Sequence, residues 1–198
     1  MYSTAMTTSE RLIESTRELL WERGFTGTSP KAILQRAGVG QGSMYHHFAG
    51  KSDLALAAIR RTAETMRATA ETALSGEGRA YDRVRAYLLR ERDVLRGCPV
   101  GRLTMDPDVI ADPALRQPVF ETLDWLRGRI AGILREGLEQ GEFDAEMDPE
   151  GTAAAVVATV QGGYVLARAA ESPAPFDTAV HGVLALLAAR TTRTTHGA

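Results

Sequence analysis

Residues 28–51 read TSPKAILQRAGVGQGSMYHHFAGK, and this stretch decides the fold of the chain. Pro30 suits the first turn of a helix, and Ser29 before it can serve as the N-cap. Gly38 stands where that helix should end in a residue with positive φ. A second short helix follows over residues 41–48, and Met44 and Phe48, one turn apart, are expected to face inward. Two short helices joined by a sharp glycine turn, with polar residues outside, predict a helix-turn-helix.

The polar residues of this stretch are of the types that contact DNA. Gln41 can pair with the edge of an adenine, Ser43 can bond to several base acceptors, and Gly42 allows a close approach to the groove. The start of the preceding helix offers hydroxyl and backbone N–H groups to a phosphate, at Thr28, Ser29 and Lys31. The alternative interpretation is an ordinary helical hairpin with a polar face.

The run from Ala37 to Lys51 has the pattern A-G-V-x-x-G-S-M-Y-H-H-F-x-x-K, and an acidic residue and Leu follow one position later. It resembles the DNA-binding signature of the TetR family of transcriptional regulators. The resemblance implies double-stranded operator DNA as the partner. It also implies phosphate contacts by Tyr45, His47 and Lys51, and base contacts by Gln41, Ser43 and His46.

The charge distribution suits DNA binding at one end of the chain only. The 198 residues carry a net charge of −2, so the whole protein is not strongly basic. Residues 1–61 carry eight basic and five acidic side chains, which leaves a net charge of −5 for the remainder. The single cysteine excludes an internal disulfide and, with no signal-peptide pattern, favours a cytoplasmic location. The longest uncharged run, residues 151–167, is too short to span a bilayer, so no membrane contact is expected.

The sequence contains no motif of an enzyme or of a metal site. There is no phosphate-binding glycine loop and no nucleophile with a base at motif spacing. His46 and His47 are neighbours on a helix and project about 100° apart, so they are poorly placed to share one ion. We therefore expect no catalytic residue, no metal and no cofactor.

The rest of the chain reads as helices, so the predicted class is all-α. A capping box at Thr7 starts a first helix that ends at Gly24. Ser52 is expected to cap a long helix over residues 53–74, the proposed mechanical link between a DNA-binding domain (1–52) and a ligand-binding and dimerisation domain (53–198). Further helices are expected over residues 79–95, 114–140, 149–171 and 176–190, with a solvated acidic loop before Glu150.

The last two helices are expected to form a homodimer. Small residues recur every fourth position at Ala154, Ala158 and Gly162, which lets two helix backbones approach closely. The final helix is apolar over much of its surface. Together they present more hydrophobic surface than a monomer of this size would cover, so we predict a four-helix interface with a second copy, as the resemblance also implies.

The ligand site is inferred from the resemblance. The segment 97–105, GCPVGRLTM, is similar to the LmrA/YxaF-like branch of the family, in which it opens a short helix beside the ligand cavity. Cys98 in this segment is interpreted as a buried structural thiol, with a redox or electrophile sensor as the alternative. Candidate pocket residues are Met66, Tyr87, Met105, Phe120, Trp125 and Tyr164. Residues of these types at helical spacing are also common in plain cores.

These observations predict a homodimeric, ligand-responsive transcriptional repressor. It would bind a palindromic operator and be released by a small hydrophobic or aromatic effector. One alternative is a constitutive DNA-binding module whose C-terminal domain only dimerises. The other is a small-molecule-binding helical protein whose DNA-binding domain (the head) is vestigial.

Overall fold

A computed structural model describes residues 6–192 of the chain. Within them it shows nine α-helices and one 3₁₀ helix but no strand, so the predicted all-α class is confirmed. The helices are α1 Thr8–Arg23, α2 Pro30–Ala37, α3 Gln41–His47, α4 Lys51–Leu74, α5 Ala80–Leu89, the 3₁₀ helix Gly101–Met105, α6 Pro107–Ala111, α7 Pro113–Glu139, α8 Pro149–Ala169 and α9 Ala174–Ala188. Over this part of the chain, no helix combines the length and the apolar character needed to cross a membrane.

The chain divides into two compact units. Unit 1 comprises the residues up to Met66 together with Cys98–Thr122, and unit 2 comprises Arg67–Gly97 and the described residues from Leu123 onward. Helices α4 and α7 each supply residues to both units. The predicted boundary between residues 52 and 53 stays a prediction about which parts of the chain act independently.

Helices α1 to α3 form the head of unit 1. The Thr7 hydroxyl accepts a hydrogen bond from the Glu10 N–H at 3.2 Å, and the Glu10 carboxylate accepts one from the Thr7 N–H at 2.7 Å, so the predicted capping box is confirmed. Both α2 and α3 pack on α1. The core of the head consists of Leu12, Leu19, Ile33, Ala37, Met44 and Leu54.

The long helix α4 begins two residues earlier than expected. It starts at Lys51, so Ser52 lies inside its first turn and is not the predicted cap. Asp53 binds the preceding turn instead, since its carboxylate accepts a hydrogen bond from the Ala49 N–H at 3.0 Å. A negative side chain in the first turn is favourable there because the helix dipole is positive at its N-terminus.

Two close helix contacts organise unit 2, and each depends on a glycine. A Cβ at Gly163 of α8 would lie 2.9 Å from the Phe176 ring of α9. A Cβ at Gly137 of α7 would lie 2.6 Å from the Cβ of Ala80, the first residue of α5, and 2.7 Å from the Phe143 ring. The absence of a side chain at these positions is what allows the elements to approach.

The acidic loop after α7 is not fully solvated, contrary to the prediction. Glu142 is 7% exposed, and its carboxylate accepts hydrogen bonds from the N–H groups of Ala80 at 2.7 Å and Tyr81 at 2.8 Å. Glu142 therefore caps α5, whose first N–H groups have no partner within the helix. Its backbone carbonyl accepts from the Thr192 N–H at 2.8 Å, which ties the segment after α9 to the same loop.

Helix α5 ends at Leu89, six residues before the predicted end near Leu95. Arg90 adopts an extended conformation with ψ 148°. The Arg92 guanidinium donates to the Tyr87 carbonyl at 2.5 Å, which is the carbonyl that would accept from the Glu91 N–H if the helix continued. A side chain thus replaces the backbone donor and the helix stops.

Candidate nucleic-acid interface

The turn between α2 and α3 fixes the direction of α3. Gly38 has φ +61°, the left-handed conformation predicted for it, and the Val39 N–H donates to the Leu34 carbonyl at 3.2 Å. Gly40 is the N-cap of α3 and provides no side-chain cap. Met44 has no exposed surface and anchors the helix in the core of the head. The opposite face of α3 is therefore presented to solvent.

That exposed face carries the predicted DNA-contacting residues. Tyr45 is 55% exposed, and Ser43 is half-buried. The rings of His46 and His47 lie 5.0 Å apart in an edge-on arrangement. The exposed positions of α3 are Gln41, Gly42, Tyr45, His46 and His47. The structure thus brings all six α3 candidates together on a helix of seven residues, as a recognition helix requires.

The N-terminus of α2 forms a second part of the same surface. The Ser29 hydroxyl accepts from the Ala32 N–H at 3.2 Å, which confirms the predicted N-cap. Lys31 is exposed in the first turn. It borders an open depression of about 610 Å³ whose lining also includes Leu34, Gln35, Gly38 and Val39. Gln35 is not among the predicted DNA contacts, although its polar side chain is exposed on α2 beside this depression.

Thr28 requires a correction. Its side chain is only 1% exposed, and its hydroxyl donates to the Gly24 carbonyl at 2.6 Å. The Thr28 N–H donates to the Phe25 carbonyl at 3.1 Å. Thr28 therefore closes the turn between α1 and α2, and its hydroxyl does not face solvent as a phosphate ligand would.

Lys51 lies in the first turn of α4, over the side chain of Phe25 at the start of the α1–α2 connection. Its Nζ is 3.9 Å from the centroid of the Phe25 ring, a cation–π contact. Phe25 itself is 7% exposed. The ring supports the lysine from the core side, so the position of the ammonium group depends on the position of Phe25.

A neighbouring basic side chain is already paired within the head. Arg36 of α2 donates two hydrogen bonds to the Glu22 carboxylate of α1, at 2.9 and 2.8 Å. These bonds raise the pKa of Arg36 above its ordinary value. A bidentate ion pair of this kind orients both side chains. Arg36 therefore joins α1 to α2.

The six candidate ligand-contacting residues fall into two groups. In unit 1, Met105 is 85% exposed, Phe120 is 65% exposed and Met66 is half-buried. In unit 2, Tyr87 and Tyr164 are buried and Trp125 is half-buried. The Tyr164 ring lies 4.9 Å from the Phe176 ring, and the Arg92 guanidinium lies over both Tyr87 and Phe176. Their role in binding an effector stays a prediction.

The environment of Cys98 matches the structural interpretation. The residue is 6% exposed, and its Sγ accepts a hydrogen bond from the Gly101 N–H at 3.1 Å. Buried thiols of this kind pack as small apolar side chains. Across the described residues, no group of three or more His, Cys, Asp or Glu side chains could hold a metal ion.

Comparison with known proteins identifies the family. Residues 12–58 match the family described as "Bacterial regulatory proteins, tetR family", and residues 82–183 match "Tetracyclin repressor-like, C-terminal domain". The first match contains α2 and α3, and the second covers about half of the chain.

Individual relatives agree with these matches. The chain is 30% identical to the HTH-type transcriptional repressor NemR of Escherichia coli over 142 residues, which cover 68% of each protein. It is 25% identical to the HTH-type transcriptional regulator LmrA of Bacillus subtilis over 174 residues, 84% of this chain and 89% of that one, which confirms the resemblance to that branch. The crystal structure of a TetR transcriptional regulator from Chloroflexus aurantiacus superposes with a TM-score of 0.82 at 28% identity, covering 93% of this chain and 96% of that one.

The arrangement of α2 and α3 and these matches lead to the same conclusion. The chain belongs to the TetR family of bacterial transcriptional regulators, with a helix-turn-helix DNA-binding head.

Proposed function

We propose that this protein is a ligand-responsive repressor that acts in the cytoplasm. Two copies bind a palindromic operator with their heads about one helical turn apart, roughly 34–36 Å. A small hydrophobic or aromatic effector then releases the protein from the DNA. The observation that carries the proposal is the row of exposed polar residues on α3, held by a buried Met44 on the opposite face.

The surface of the head supports DNA binding by two kinds of contact. Gln41, Ser43 and His46 present groups that can read base edges in the major groove. Ser29, Lys31, Tyr45, His47 and Lys51 can bind phosphates on either side, which positions α3 but does not specify sequence. The affinity for the operator should therefore fall steeply with salt concentration, because counterions leave the DNA when phosphates are neutralised.

The outer faces of α8 and α9 support dimerisation. On α8 the exposed face combines the small residues Ala154, Ala158 and Gly162 with Val165, which is 68% exposed. On α9 Leu186 is 71% exposed. Contiguous apolar surface of this kind marks an interaction site, and small side chains permit close packing of two helix backbones.

Replacing Leu186 by glutamate should convert the protein from a dimer to a monomer. The side chain is 71% exposed, so the core of the protomer is not disturbed, whereas a charge in a dimer interface would be buried without a partner. Sedimentation equilibrium at micromolar concentration measures the change in mass. Ala86→Glu, an equally drastic change at an exposed position of α5, should leave the mass unchanged. A wild-type monomer, or a dimeric Leu186→Glu variant, would contradict this interface.

Effector binding and DNA binding should oppose each other by linkage. An effector that prefers a state with mis-spaced heads weakens operator binding by the same factor by which the operator weakens effector binding, typically 5- to 150-fold. We propose that α4 transmits this change, because it supplies residues to both units. The candidate pocket residues stay those predicted from the sequence, and Tyr87 and Tyr164 are the two of them that are buried in unit 2.

The direct test is binding of the purified protein to DNA from its own upstream region. We expect selective binding, weaker at 200 mM than at 50 mM salt, that is released by one of a panel of lipophilic and planar aromatic compounds. Fluorescence anisotropy with a labelled fragment and a scrambled fragment of equal length measures selectivity. Selective binding that no compound disturbs would favour the constitutive module, and absence of binding would favour a vestigial head.

A further inference from the structure

The head has a contact partner outside the helix-turn-helix. The segment Cys98–Thr122 belongs to the same compact unit as the residues up to Met66, although it falls within the C-terminal family match at residues 82–183. Within unit 1, this segment meets the turn between α1 and α2 through the side chain of Asp106, which is 7% exposed.

The Asp106 carboxylate accepts hydrogen bonds from two segments, the α1–α2 turn and the first turn of α6. Its Oδ2 accepts from the Thr26 N–H at 2.9 Å, and its Oδ1 accepts from the Thr26 hydroxyl at 2.8 Å. Oδ1 also accepts from the N–H groups of Asp108 at 3.2 Å and Val109 at 3.4 Å, which makes Asp106 the N-cap of α6. Burial raises the pKa of Asp106, but the hydrogen bonds from Thr26 and from the backbone outweigh it, and the net pKa is lowered. The group is therefore an ionised acceptor at neutral pH.

The α1–α2 turn is built around this carboxylate. Gly24 has φ +75°, and a Cβ at this position would lie 2.8 Å from Asp106 Oδ2. A side chain there would both strain the backbone and displace the carboxylate. The Thr28 hydroxyl bond to the Gly24 carbonyl holds the other side of the same turn.

The α1–α2 turn also supports a residue of the proposed DNA-binding surface. Phe25 precedes Thr26 directly, and the Lys51 Nζ lies 3.9 Å from its ring centroid. The backbone N–H and the hydroxyl that Asp106 holds are thus one residue away from the ring that supports this lysine. A shift of the turn would move the ring that the Lys51 ammonium group contacts.

We propose that Asp106 is a positioning residue for operator binding: by holding Thr26 it fixes Phe25 and so places Lys51 against an operator phosphate. Asp106 does not itself touch the DNA. The inference rests on the proposed function, and it assigns part of the C-terminal family region to the DNA-binding machinery.

Asp106→Asn tests the contact with little change in shape. The amide keeps an oxygen that can accept at the Oδ1 position, so α6 retains its cap, but it directs an NH₂ donor at the Thr26 N–H. We expect the dissociation constant for the operator fragment to rise about 5- to 20-fold, in the range of typical coupling between sites. We also expect the slope of log affinity against log salt to fall in magnitude by about 0.9 per head, because one phosphate contact is lost.

The salt slope separates positioning from simple destabilisation. A partly unfolded variant has a smaller active fraction, which a stoichiometric titration reports, but its folded molecules keep the wild-type slope. The double variant Asp106→Asn/Lys51→Gln should match Lys51→Gln alone in both affinity and slope, because the two changes remove the same phosphate contact. Full additivity of the two effects, or an Asp106→Asn variant with wild-type affinity and slope, would overturn the proposal.

A second pair of variants keeps the test decisive if Asp106→Asn does not fold. Thr26 is exposed, so Thr26→Val removes only the hydroxyl donor, whereas Thr26→Ser retains it. We expect Thr26→Val to weaken operator binding and reduce the salt slope, and Thr26→Ser to restore both. Equal behaviour of the two variants would overturn the proposal. If the wild-type protein itself binds no operator selectively, the proposed function fails as well. If the wild-type protein binds selectively and only the expected effects of the variants are missing, the Asp106 proposal alone fails.

Discussion

Replacing Met44 by alanine should unfold the head and abolish operator binding. Met44 has no exposed surface, and it is the residue through which α3 joins the core of the head. Truncating a buried side chain of this size costs about 2–5 kcal/mol. Three short helices have little further core from which to compensate for that loss. Urea unfolding followed by circular dichroism measures the change in the free energy of unfolding.

The adjacent residue provides the matched control. Tyr45 is 55% exposed on the same helix, so Tyr45→Ala should change the free energy of unfolding by no more than about 0.5 kcal/mol. It should nevertheless weaken operator binding and reduce the salt slope by about 0.9 per head, as expected for a phosphate contact. A large loss of stability in Tyr45→Ala together with wild-type stability in Met44→Ala would contradict this orientation of α3.

Replacing Gly137 by alanine should destabilise unit 2. The new Cβ would lie 2.6 Å from the Ala80 Cβ and 2.7 Å from the Phe143 ring. The Ala80 Cβ is attached directly to the backbone at the start of α5, so it cannot rotate away, and α5 or α7 must shift. Overpacking of this kind costs about 1–3 kcal/mol. Thermal and urea unfolding of the full chain measure it.

Replacing Gly132 of the same helix by alanine should have the opposite effect on the free energy of unfolding. No atom lies within 4 Å of the position that a Cβ would occupy there. Gly132→Ala should therefore stabilise the protein by up to about 1 kcal/mol, because alanine has the higher helix propensity. If both alanine variants stabilise the protein, α5 does not approach α7 as closely as described.

The features that the sequence predicts correctly depend on neighbouring residues. The capping box at Thr7, the cap at Ser29 and the positive φ of Gly38 each involve groups within a few residues of one another. Burial of Met44 follows from helical spacing in the same way. Such features are set by local stereochemistry, which does not require knowledge of the tertiary fold.

The features that the sequence does not predict involve distant residues. Glu142 caps α5 from 62 positions away, and Asp106 binds Thr26 from 80 positions away. The residues that neighbour Glu142 and Asp106 in the sequence do not distinguish these buried carboxylates from solvent-exposed ones. The early end of α5 depends on the direction of one side chain, that of Arg92, which helical periodicity does not reveal.

The candidate site shows the same division. The outward face of α3 could be predicted because Met44 and Phe48 mark its inner face one turn apart. Thr28 could not be assigned, because a hydroxyl before a helix can bind a phosphate or close a turn, and only the position of the Gly24 carbonyl distinguishes the two. For the ligand candidates, residue type alone did not separate Met105, which is 85% exposed, from the buried Tyr87.

The tie between Thr192 and Glu142 has a consequence for the order in which the nascent chain folds. Unit 1 is complete once Thr122 has left the ribosome, whereas the loop that caps α5 gains its last hydrogen bonds only when Thr192 has emerged. About 70 residues separate the two events, several seconds at typical rates of synthesis. The DNA-binding unit can therefore fold while the residues that complete unit 2 are still being synthesised, and unit 2 reaches its final state only once Thr192 is available.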